Sequence, residues 1–215
     1  MRSDRHAFSA ALLCVASIAV FSAQSGPTSQ EITQAERDVP LLLKVLDVVP
    51  GMTIADIGAG AGAMSMVASR QLGSTSRIFA TDLNPATVAK LETLAEREHL
   101  ANVDVVQGAA AATNLPPECC DAIFMRDVYH HIVDPAAMNR SIAASLKPGG
   151  RFAVIDFEAK PGSPLPEGVP ANRRGHGVPP AIVADEVRAA GLVHLQTFPK
   201  WPDPKESLFL VLFRK

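Results

Sequence analysis

The sequence has few aromatic residues, few cysteines and little net charge. Its 215 residues include nine Phe, one Trp and one Tyr, too few for the aromatic platforms on which single-stranded bases stack. The formal net charge is -2 and no run of Lys and Arg occurs, so the chain offers no basic surface to a phosphate backbone. Three Cys cannot form a disulfide framework. We therefore expect neither a nucleic-acid-binding protein nor a small disulfide-stabilised domain.

The composition that is present is typical of a globular protein. Hydrophobic residues make up 47% of the chain and charged residues 20%, close to the average for folded domains. A chain of this length buries enough surface to form a hydrophobic core without metal or disulfide cross-links. One folded domain is the expectation.

The N-terminal segment has the pattern of an export signal. Two arginines precede an uncharged run from Ala7 to Ala23, and small residues come after it, which is the basic, apolar and small order of a secretory signal peptide. We expect residues 1–25 to be this signal and residues 26–215 to be the folded domain, exported to the periplasm or secreted, with no stable membrane insertion after cleavage. An uncleaved membrane anchor and a cytoplasmic protein with a start codon placed too early are the alternatives.

The rest of the chain alternates between short apolar runs and helical patterns. Five such strand–helix units predict a parallel sheet, and the last two strands, only about nine residues apart, are expected to pair antiparallel. The predicted fold is α/β and Rossmann-like, with helices on both faces of a seven-stranded, mostly parallel sheet. The predicted strands are Thr53–Ile57, Arg77–Asp82, Val103–Gln107, Ala122–Arg126, Arg151–Asp156, Val193–Phe198 and Leu208–Phe213.

A glycine loop comes directly after the first strand. Glycines at Gly58, Gly60 and Gly62 allow a tight turn and let backbone N–H groups approach a ligand. Asp56 precedes this loop, and Asp82 ends the second strand, where an acid can accept both hydroxyls of a ribose. The pattern predicts a nucleotide-type cofactor across the carboxyl ends of the strands. The segment Gly58-Ala59-Gly60-Ala61-Gly62-Ala63 also satisfies the nicotinamide fingerprint, which allows Ala at its final position. An NAD-dependent oxidoreductase is therefore an alternative.

Several further motifs occur in order along the chain. Cys120-Asp121-Ala122-Ile123 opens the fourth strand, a Leu-Lys-Pro-Gly-Gly turn precedes the fifth, and a block from Asp127 to His131 is followed by Asp134-Pro135. With Asp56 and Asp82, these motifs resemble the class I S-adenosylmethionine-dependent methyltransferases, and the Asp127 block resembles their small-molecule branch. The resemblance covers about residues 40–213.

The resemblance implies a cofactor, S-adenosylmethionine, and a small-molecule methyl acceptor. It implies that Asp56 and the three loop glycines line the methionine portion of the cofactor and that Asp82 holds the ribose. A structural role is the alternative for the three glycines, which would then allow the following helix to pack closely against the first strand. One position departs from the family pattern: Gly108 is followed by four alanines where an acid is expected to contact the adenine. Backbone groups or Asn114 are the candidate substitutes, and a cofactor-binding protein without turnover is the corresponding alternative function.

The candidate catalytic residues come after the fourth strand. Asp127, His130 and His131 lie where a side chain can remove a proton from the acceptor, and a histidine is the favoured base because its ordinary pKa is near neutrality. The structural alternative is that one histidine packs on the next helix and that Asp127 supports the loop. Asp127 and Asp156 end neighbouring strands, but Phe157 stands where a third oxygen ligand for Mg²⁺ is needed. We expect no metal.

Two other features of the sequence lie outside these motifs. Cys119 and Cys120 are expected to fill core space with side chains on opposite faces of a strand. The proline- and glycine-rich segment 158–180 is too long for a plain connection and predicts a lid or flexible loop. Its Arg173, Arg174 and His176 are interpreted either as a site for an anionic acceptor or as ordinary solvated residues.

Overall fold

The computed structural model describes residues 26–215, so the predicted signal segment, residues 1–25, lies outside the described residues. No helix in this described part is both long and apolar enough to cross a membrane. Helices and strands alternate as the sequence predicts. The elements are α1 Ser29–Val45, β1 Thr53–Ile57, α2 Ala63–Leu72, β2 Arg77–Asp82, α3 Pro85–Arg97, β3 Val103–Gln107, β4 Cys120–Arg126, α4 Pro135–Ser145, β5 Leu146–Phe157, α5 Pro180–Ala189, β6 Val193–Trp201 and β7 Leu208–Arg214.

The seven strands form one sheet in the order β3-β2-β1-β4-β5-β7-β6. Strands β1 to β5 pair in parallel, whereas β7 runs antiparallel to both β5 and β6. No helix lies between β6 and β7 in the described chain, and such a short connection leads to antiparallel pairing. The predicted fold class is confirmed, including the antiparallel last strand.

Helices cover both faces of the sheet. In β5, Phe152 and Val154 belong to a core cluster that includes buried residues of α4 and α5. The alternate residues Ala153 and Ile155 belong to a second cluster with α1 and α2. Successive side chains of a strand point to opposite faces, so this alternation assigns α4 and α5 to one face and α1 and α2 to the other.

The start of β5 differs from the sequence prediction. The Leu-Lys-Pro-Gly-Gly segment is a turn by its sequence, but in the structure β5 begins at Leu146, which pairs with Cys120 before a register shift. A Cβ at Gly150 would lie 2.9 Å from the Lys147 carbonyl oxygen and 3.1 Å from that of Asp121. The segment therefore packs directly against the start of β4, which the local sequence alone does not reveal.

Two capped helices fix the loops at the carboxyl edge of the sheet. The Asn84 side chain accepts a hydrogen bond from the Ala86 N–H, at 2.9 Å, and caps α3. The Asp134 side chain accepts one from the Ala137 N–H, also at 2.9 Å, and caps α4. A proline comes directly after each cap, where its fixed φ suits the first helical turn. These caps position the segments after β2 and β4.

Candidate functional site

The strand order changes direction beside β1. This strand pairs with β2 on one side and with β4 on the other, so the connection from β1 to β2 and the connection from β4 to β5 run toward opposite edges of the sheet. In open α/β sheets, ligands bind in the crevice at such a switch point. The glycine loop, the end of β2 and the end of β4 all meet there.

The three loop glycines have positive φ angles but different surroundings. A Cβ at Gly58 would lie 2.5 Å from a methyl group of Val128, and one at Gly62 would lie 2.6 Å from a methyl group of Leu94. A Cβ at Gly60 would meet no atom within 4 Å. Close packing therefore requires glycine at the first and third positions, whereas the middle glycine borders open space. Their assignment to the cofactor stays a prediction, with Gly60 the best placed to approach a ligand.

Asp82 supports the glycine loop from the tip of β2. Its Oδ2 accepts a hydrogen bond from the Gly60 N–H at 3.1 Å, and its Oδ1 accepts one from the Asn84 N–H at 2.9 Å. Each carboxylate oxygen keeps a further lone pair for a ligand donor. The half-buried side chain also lines a cavity beside the loop, where the predicted ribose contact would be made.

This cavity has a volume of about 280 Å³ and opens on one side of the glycine loop. The glycine loop and Asp82 form one wall, and residues after β4 form another. The alanine run contributes an apolar surface. The lining includes Gly58, Asp82, Ala109, Asp127, His131 and Met138.

Two substitutes are predicted for the acid that is expected to contact the adenine: backbone groups of the alanine run and Asn114. Alanines of this run line the cavity, whereas Asn114 does not. Ala109 and Ala112 hydrogen-bond to each other through their backbones, with a distance of 2.8 Å from the Ala109 nitrogen to the Ala112 oxygen. The exposed Asn114 donates its side-chain N–H to the Gln107 carbonyl at 2.8 Å and is not among the lining residues of the cavity. The role of Asn114 in cofactor binding stays a prediction that requires it to turn from this partner.

Asp56 lies on the other side of the glycine loop. It is 3% exposed, accepts a hydrogen bond of 2.7 Å from the Ser65 hydroxyl, and lines a smaller cavity of about 180 Å³ with Gly60 and Arg126. Burial raises the pKa of the Asp56 carboxyl to about 7, although the Ser65 hydrogen bond and the Arg126 charge oppose this rise. The two acids thus face two cavities that share the loop as a wall.

Asp127 presents an unsatisfied oxygen at the end of β4. Its backbone has a φ of 57°, its Oδ2 lies 3.2 Å from Arg126 Nη1, and its Oδ1 is buried without a hydrogen-bond partner. Burial also raises the pKa of this carboxyl. Because buried acceptors are normally paired, an unpaired one in the wall of a cavity marks a position for a ligand donor.

The two adjacent histidines have different environments. His130 is 2% exposed and is held by Asp156, whose Oδ1 lies 2.8 Å from His130 Nδ1 and whose Oδ2 accepts from the His130 N–H at 3.0 Å. His131 lines the 280 Å³ cavity, and partial desolvation of its otherwise exposed ring, together with the nearby His130 and His176, lowers the pKa of that ring. Of the pair, His131 is the histidine in reach of a molecule bound in the cavity.

The sequence interpretation missed a buried network beneath this site. Arg173 is fully buried and forms two hydrogen bonds to Glu186, at 2.7 and 2.8 Å. The Tyr129 hydroxyl donates to Glu186 at 3.0 Å and accepts from the Asn139 amide at 2.7 Å. The interpretation of Arg173 as a solvated or anion-binding residue is therefore wrong, because its charge is already paired inside the protein. No sequence motif relates Arg173 to a glutamate on α5.

Cys119 and Cys120 form a disulfide between adjacent residues. The expectation of side chains on opposite faces is wrong, because Cys119 precedes the first residue of β4 and strand alternation does not apply to it. The pair lies at the amino end of β4, whereas the cavities lie at its carboxyl end. It has no place in the candidate site.

Comparison with known proteins agrees with this geometry. Residues 55–154 match the family model described as a methyltransferase domain. The chain is 32% identical over 108 residues to the ubiquinone/menaquinone biosynthesis C-methyltransferase UbiE of Enterobacter sp. (strain 638), a match covering 50% of this chain and 43% of the relative. The UbiE of Shewanella halifaxensis is 31% identical over 109 residues, with the same shares covered. The chain thus spans less than half the length of these curated relatives.

Solved structures share the fold over most of the chain. A methyltransferase from Aquifex aeolicus, described as S-adenosylmethionine-dependent, superposes with a TM-score of 0.68 and 23% identity, over 89% of this chain and 94% of that one. The [4+2]-cyclase SpnF superposes with a TM-score of 0.67 and 17% identity, over 84% and 81% of the two chains. Residues 55–154 are therefore similar to a methyltransferase domain, the solved structures show the same fold, and S-adenosylmethionine is the cofactor that the comparisons indicate.

Proposed function

We propose that the protein transfers the methyl group of S-adenosylmethionine to a small molecule held against His131. The observation that carries this proposal is the 280 Å³ cavity, in which the loop-supporting Asp82 and the histidine line the same space. A cofactor lying along the loop would bring its reactive end toward the residues after β4. Fold alone would not support this, because one fold serves many reactions.

The residues present fit the cofactor in three respects. Gly60 borders open space through which a ligand can approach the backbone, and Asp82 offers acceptors for ribose hydroxyls from the adjoining strand. The buried Asp127 Oδ1 has no partner within the protein. The alanine wall suits the flat apolar faces of adenine but supplies no charged acceptor for its amino group. A hydrogen bond to a charged group contributes about 1.5–3 kcal/mol, and cofactor binding is weaker by this amount.

The mechanism that this arrangement supports depends on orientation and proton removal. S-adenosylmethionine supplies an electrophilic methyl group attached to a positively charged sulfur. The cavity walls hold the acceptor in line with this methyl group and exclude water, which is the main requirement of an in-line displacement. His131 is placed to take the proton of a hydroxyl or other acidic acceptor. His130 takes no proton from the acceptor in this proposal, because it is 2% exposed and does not line the cavity.

The lining of the cavity restricts the acceptor to a class. Ile132, Val133 and Met138 join the alanines in its walls, so an acceptor with an apolar ring or chain gains from burial there. The two curated relatives carry names that specify methyl transfer to carbon. A carbon acceptor made acidic by a neighbouring hydroxyl is compatible with both observations.

A binding experiment with two cofactors tests this function. Calorimetric titration with S-adenosylhomocysteine is expected to show one site per chain, and titration with NAD is expected to show none. Transfer of a labelled methyl group to a panel of small apolar hydroxyl compounds then tests turnover. Binding of NAD without S-adenosylhomocysteine would replace the proposal with an oxidoreductase, and cofactor binding without transfer to any acceptor would favour a non-catalytic role.

We also propose that the protein acts outside the cytoplasm. The support is the basic, apolar and small pattern of residues 1–25, which precede the elements of the domain. Arginines ahead of the apolar run favour translocation of the domain behind it. Export places the domain where S-adenosylmethionine is scarce, so the lost adenine contact would matter more there than in the cytoplasm.

A further inference from the structure

Three histidines from distant parts of the sequence meet at the carboxyl edge of the sheet. His130 and His131 come after β4, and His176 comes from the long loop after β5. The ring centres are 4.0 Å apart for His130 and His131, 4.8 Å for His130 and His176, and 5.3 Å for His131 and His176. One ring nitrogen of each residue lies within 4.8 Å of the other two.

We propose that these three imidazoles form a binding site for a divalent transition-metal ion of the zinc class. Imidazole nitrogen is a preferred ligand of such ions, and three protein ligands leave at least one coordination position free, as in catalytic rather than structural zinc sites. Nitrogens bound tetrahedrally at about 2.0–2.1 Å from zinc lie about 3.3 Å apart. The nitrogen–nitrogen distances, which are at most 4.8 Å in the structure, would have to shorten by about 1.5 Å or less to reach this spacing.

Asp156 prepares His130 for this role. Its fully buried carboxylate engages Nδ1 of the ring at 2.8 Å and also accepts from the backbone N–H groups of His130 and Phe157. Nε2 is then the nitrogen left for a ligand. A carboxylate behind a metal-bound histidine fixes its tautomer and its orientation, and this acid also places a negative charge near the cation.

The long loop holds His176 against the pair. The His176 N–H donates to the Ser163 hydroxyl at 3.0 Å, and the Val178 N–H donates to the Phe157 carbonyl at 2.9 Å. A Cβ at Gly177 would lie 2.5 Å from the Ala159 nitrogen, so the loop crosses its own start too closely for another residue. Both sides of His176 are therefore fixed, whereas the exposed His131 and His176 rings keep freedom to close on an ion.

The location gives the ion access to two spaces. His131 lines the 280 Å³ cavity that contains Asp82, and His176 lines a wider depression of about 730 Å³ with Phe157 and Lys160. An ion between the two histidines would lie at the border of these spaces. It would polarise an oxygen or sulfur atom of a molecule entering from the wider side. A His131 ring that binds the ion has no lone pair left to take a proton, so the ion-bound form would not use His131 as the base of the proposed methyl transfer. The metal site itself does not depend on methyl transfer, because an ion can be titrated in the absence of the cofactor.

Metal titration of the full chain, with any polyhistidine tag removed, tests the proposal. We expect one Zn²⁺ per chain by calorimetry and, with Co²⁺, the strong visible absorption of a four- or five-coordinate ion. Substitution of a residue that hydrogen-bonds to a metal ligand typically weakens metal affinity by about tenfold to a hundredfold. The variant His176→Ala removes a ligand itself, so we expect its Zn²⁺ affinity to fall by at least about a hundredfold. His194→Ala is the matched control, because His194 is an exposed histidine on β6, and it is expected to bind Zn²⁺ as the unchanged protein does.

The outcomes separate this proposal from the proposed methyl transfer. His176 does not line the 280 Å³ cavity, so a titration of His176→Ala with S-adenosylhomocysteine reports on the fold and the cofactor site independently. Loss of Zn²⁺ binding with cofactor binding retained supports the metal site. Absence of Zn²⁺ binding in the unchanged protein, or equal binding by it and by His176→Ala, overturns the site whatever the cofactor titration shows.

Discussion

Asp82 and Asp56 lie on opposite sides of the glycine loop and have different exposures. Asp82 is half-buried at the tip of β2 and contacts the loop through the Gly60 N–H. Asp56 is almost fully buried and is bound to Ser65. Substitution of the first is therefore expected to act mainly on the ligand, and substitution of the second mainly on the protein itself.

Asp82→Ala is expected to weaken S-adenosylhomocysteine binding by about tenfold to a hundredfold, the equivalent of one lost charge-assisted contact. The domain is expected to stay folded, because the carboxylate supports two loop N–H groups at an edge of the sheet. Calorimetry measures the affinity and circular dichroism the fold. Asp104→Ala is the control, since Asp104 is a partly exposed acid on the neighbouring strand β3 that pairs with Arg77. If Asp82→Ala unfolds the protein while its folded fraction binds normally, Asp82 is a structural cap.

Asp56 makes the stability of the protein depend on pH in a defined direction. Its carboxyl has a pKa raised from 3.8 to about 7 by burial. Between these values the folded protein keeps a proton that the unfolded chain has lost, so the free energy of unfolding falls as the pH rises from about 4 to about 7. Above pH 7 the Asp56 carboxyl is ionised in both the folded and the unfolded state, so its destabilising effect on the folded state no longer changes with pH. The charges that face the group are Arg126 on β4 and Asp82 on β2, with Glu31 of α1 in the same cavity wall.

Asp56→Asn is expected to remove this dependence. The variant should unfold at a higher urea concentration than the unchanged protein at pH 8, and the difference should shrink toward pH 5, where the native carboxyl is protonated. Urea denaturation of both proteins at the two pH values gives the comparison. A parallel decline in stability with pH in both proteins would show that another group is responsible.

Among the elements, the sequence predicts strands better than long-range contacts. The bounds of β1, β2 and β3 agree with the sequence because each is a short apolar run between turn residues. The glycine loop and the acid after β2 are evident from the same local pattern. The conformation of the loop 158–180 is not predictable from its local sequence, because it depends on contacts with residues elsewhere in the chain. Neither the pairing of Arg173 with Glu186 nor the approach of His176 to His131 has a local sequence signal.

The buried Arg173 anchors this loop to α5 and is expected to be important for stability. Arg173→Met leaves Glu186 without its partner, and breaking a buried ion pair costs about 3–5 kcal/mol. We expect a loss near the lower end, since Glu186 is 18% exposed. The double variant Arg173→Met/Glu186→Gln should recover part of the loss, because the uncompensated charge is removed. Thermal or urea unfolding measures all three proteins.

Arg174→Met is the matched control for the loop. Arg174 is the next residue, carries the same charge and is exposed, so its substitution is expected to change the unfolding free energy by less than about 0.5 kcal/mol. Equal effects of the two single substitutions would show that the Arg173–Glu186 pair does not anchor the loop.

The topology of the sheet is predictable from the sequence, whereas the candidate site is predictable only in part. Alternation of strands and helices determines a parallel sheet, and the short connection from β6 to β7 determines the antiparallel strand. The sequence also indicates which strand ends face the crevice. It does not indicate that His130 is fixed on Asp156 while His131 lines the cavity, because adjacent residues in a short turn have no periodicity to separate them.

The N-terminal segment gives a prediction about the whole chain in its host. N-terminal sequencing after cell fractionation is expected to find a mature chain that begins near Gln24 to Gly26, outside the cytoplasm. Cleavage at that point is expected from the small residues after the apolar run. A chain that retains Met1 in the soluble cytoplasmic fraction would refute export.

We propose that S-adenosylmethionine binds across the glycine loop with its reactive end toward His131. A crystal structure of the protein with S-adenosylhomocysteine tests this most directly. We predict the methionine portion beside Gly60, the ribose hydroxyls on the Asp82 carboxylate and the sulfur facing the 280 Å³ cavity wall that contains His131. Binding at any other surface, or a ribose that makes no contact with Asp82, would show that this binding mode is wrong.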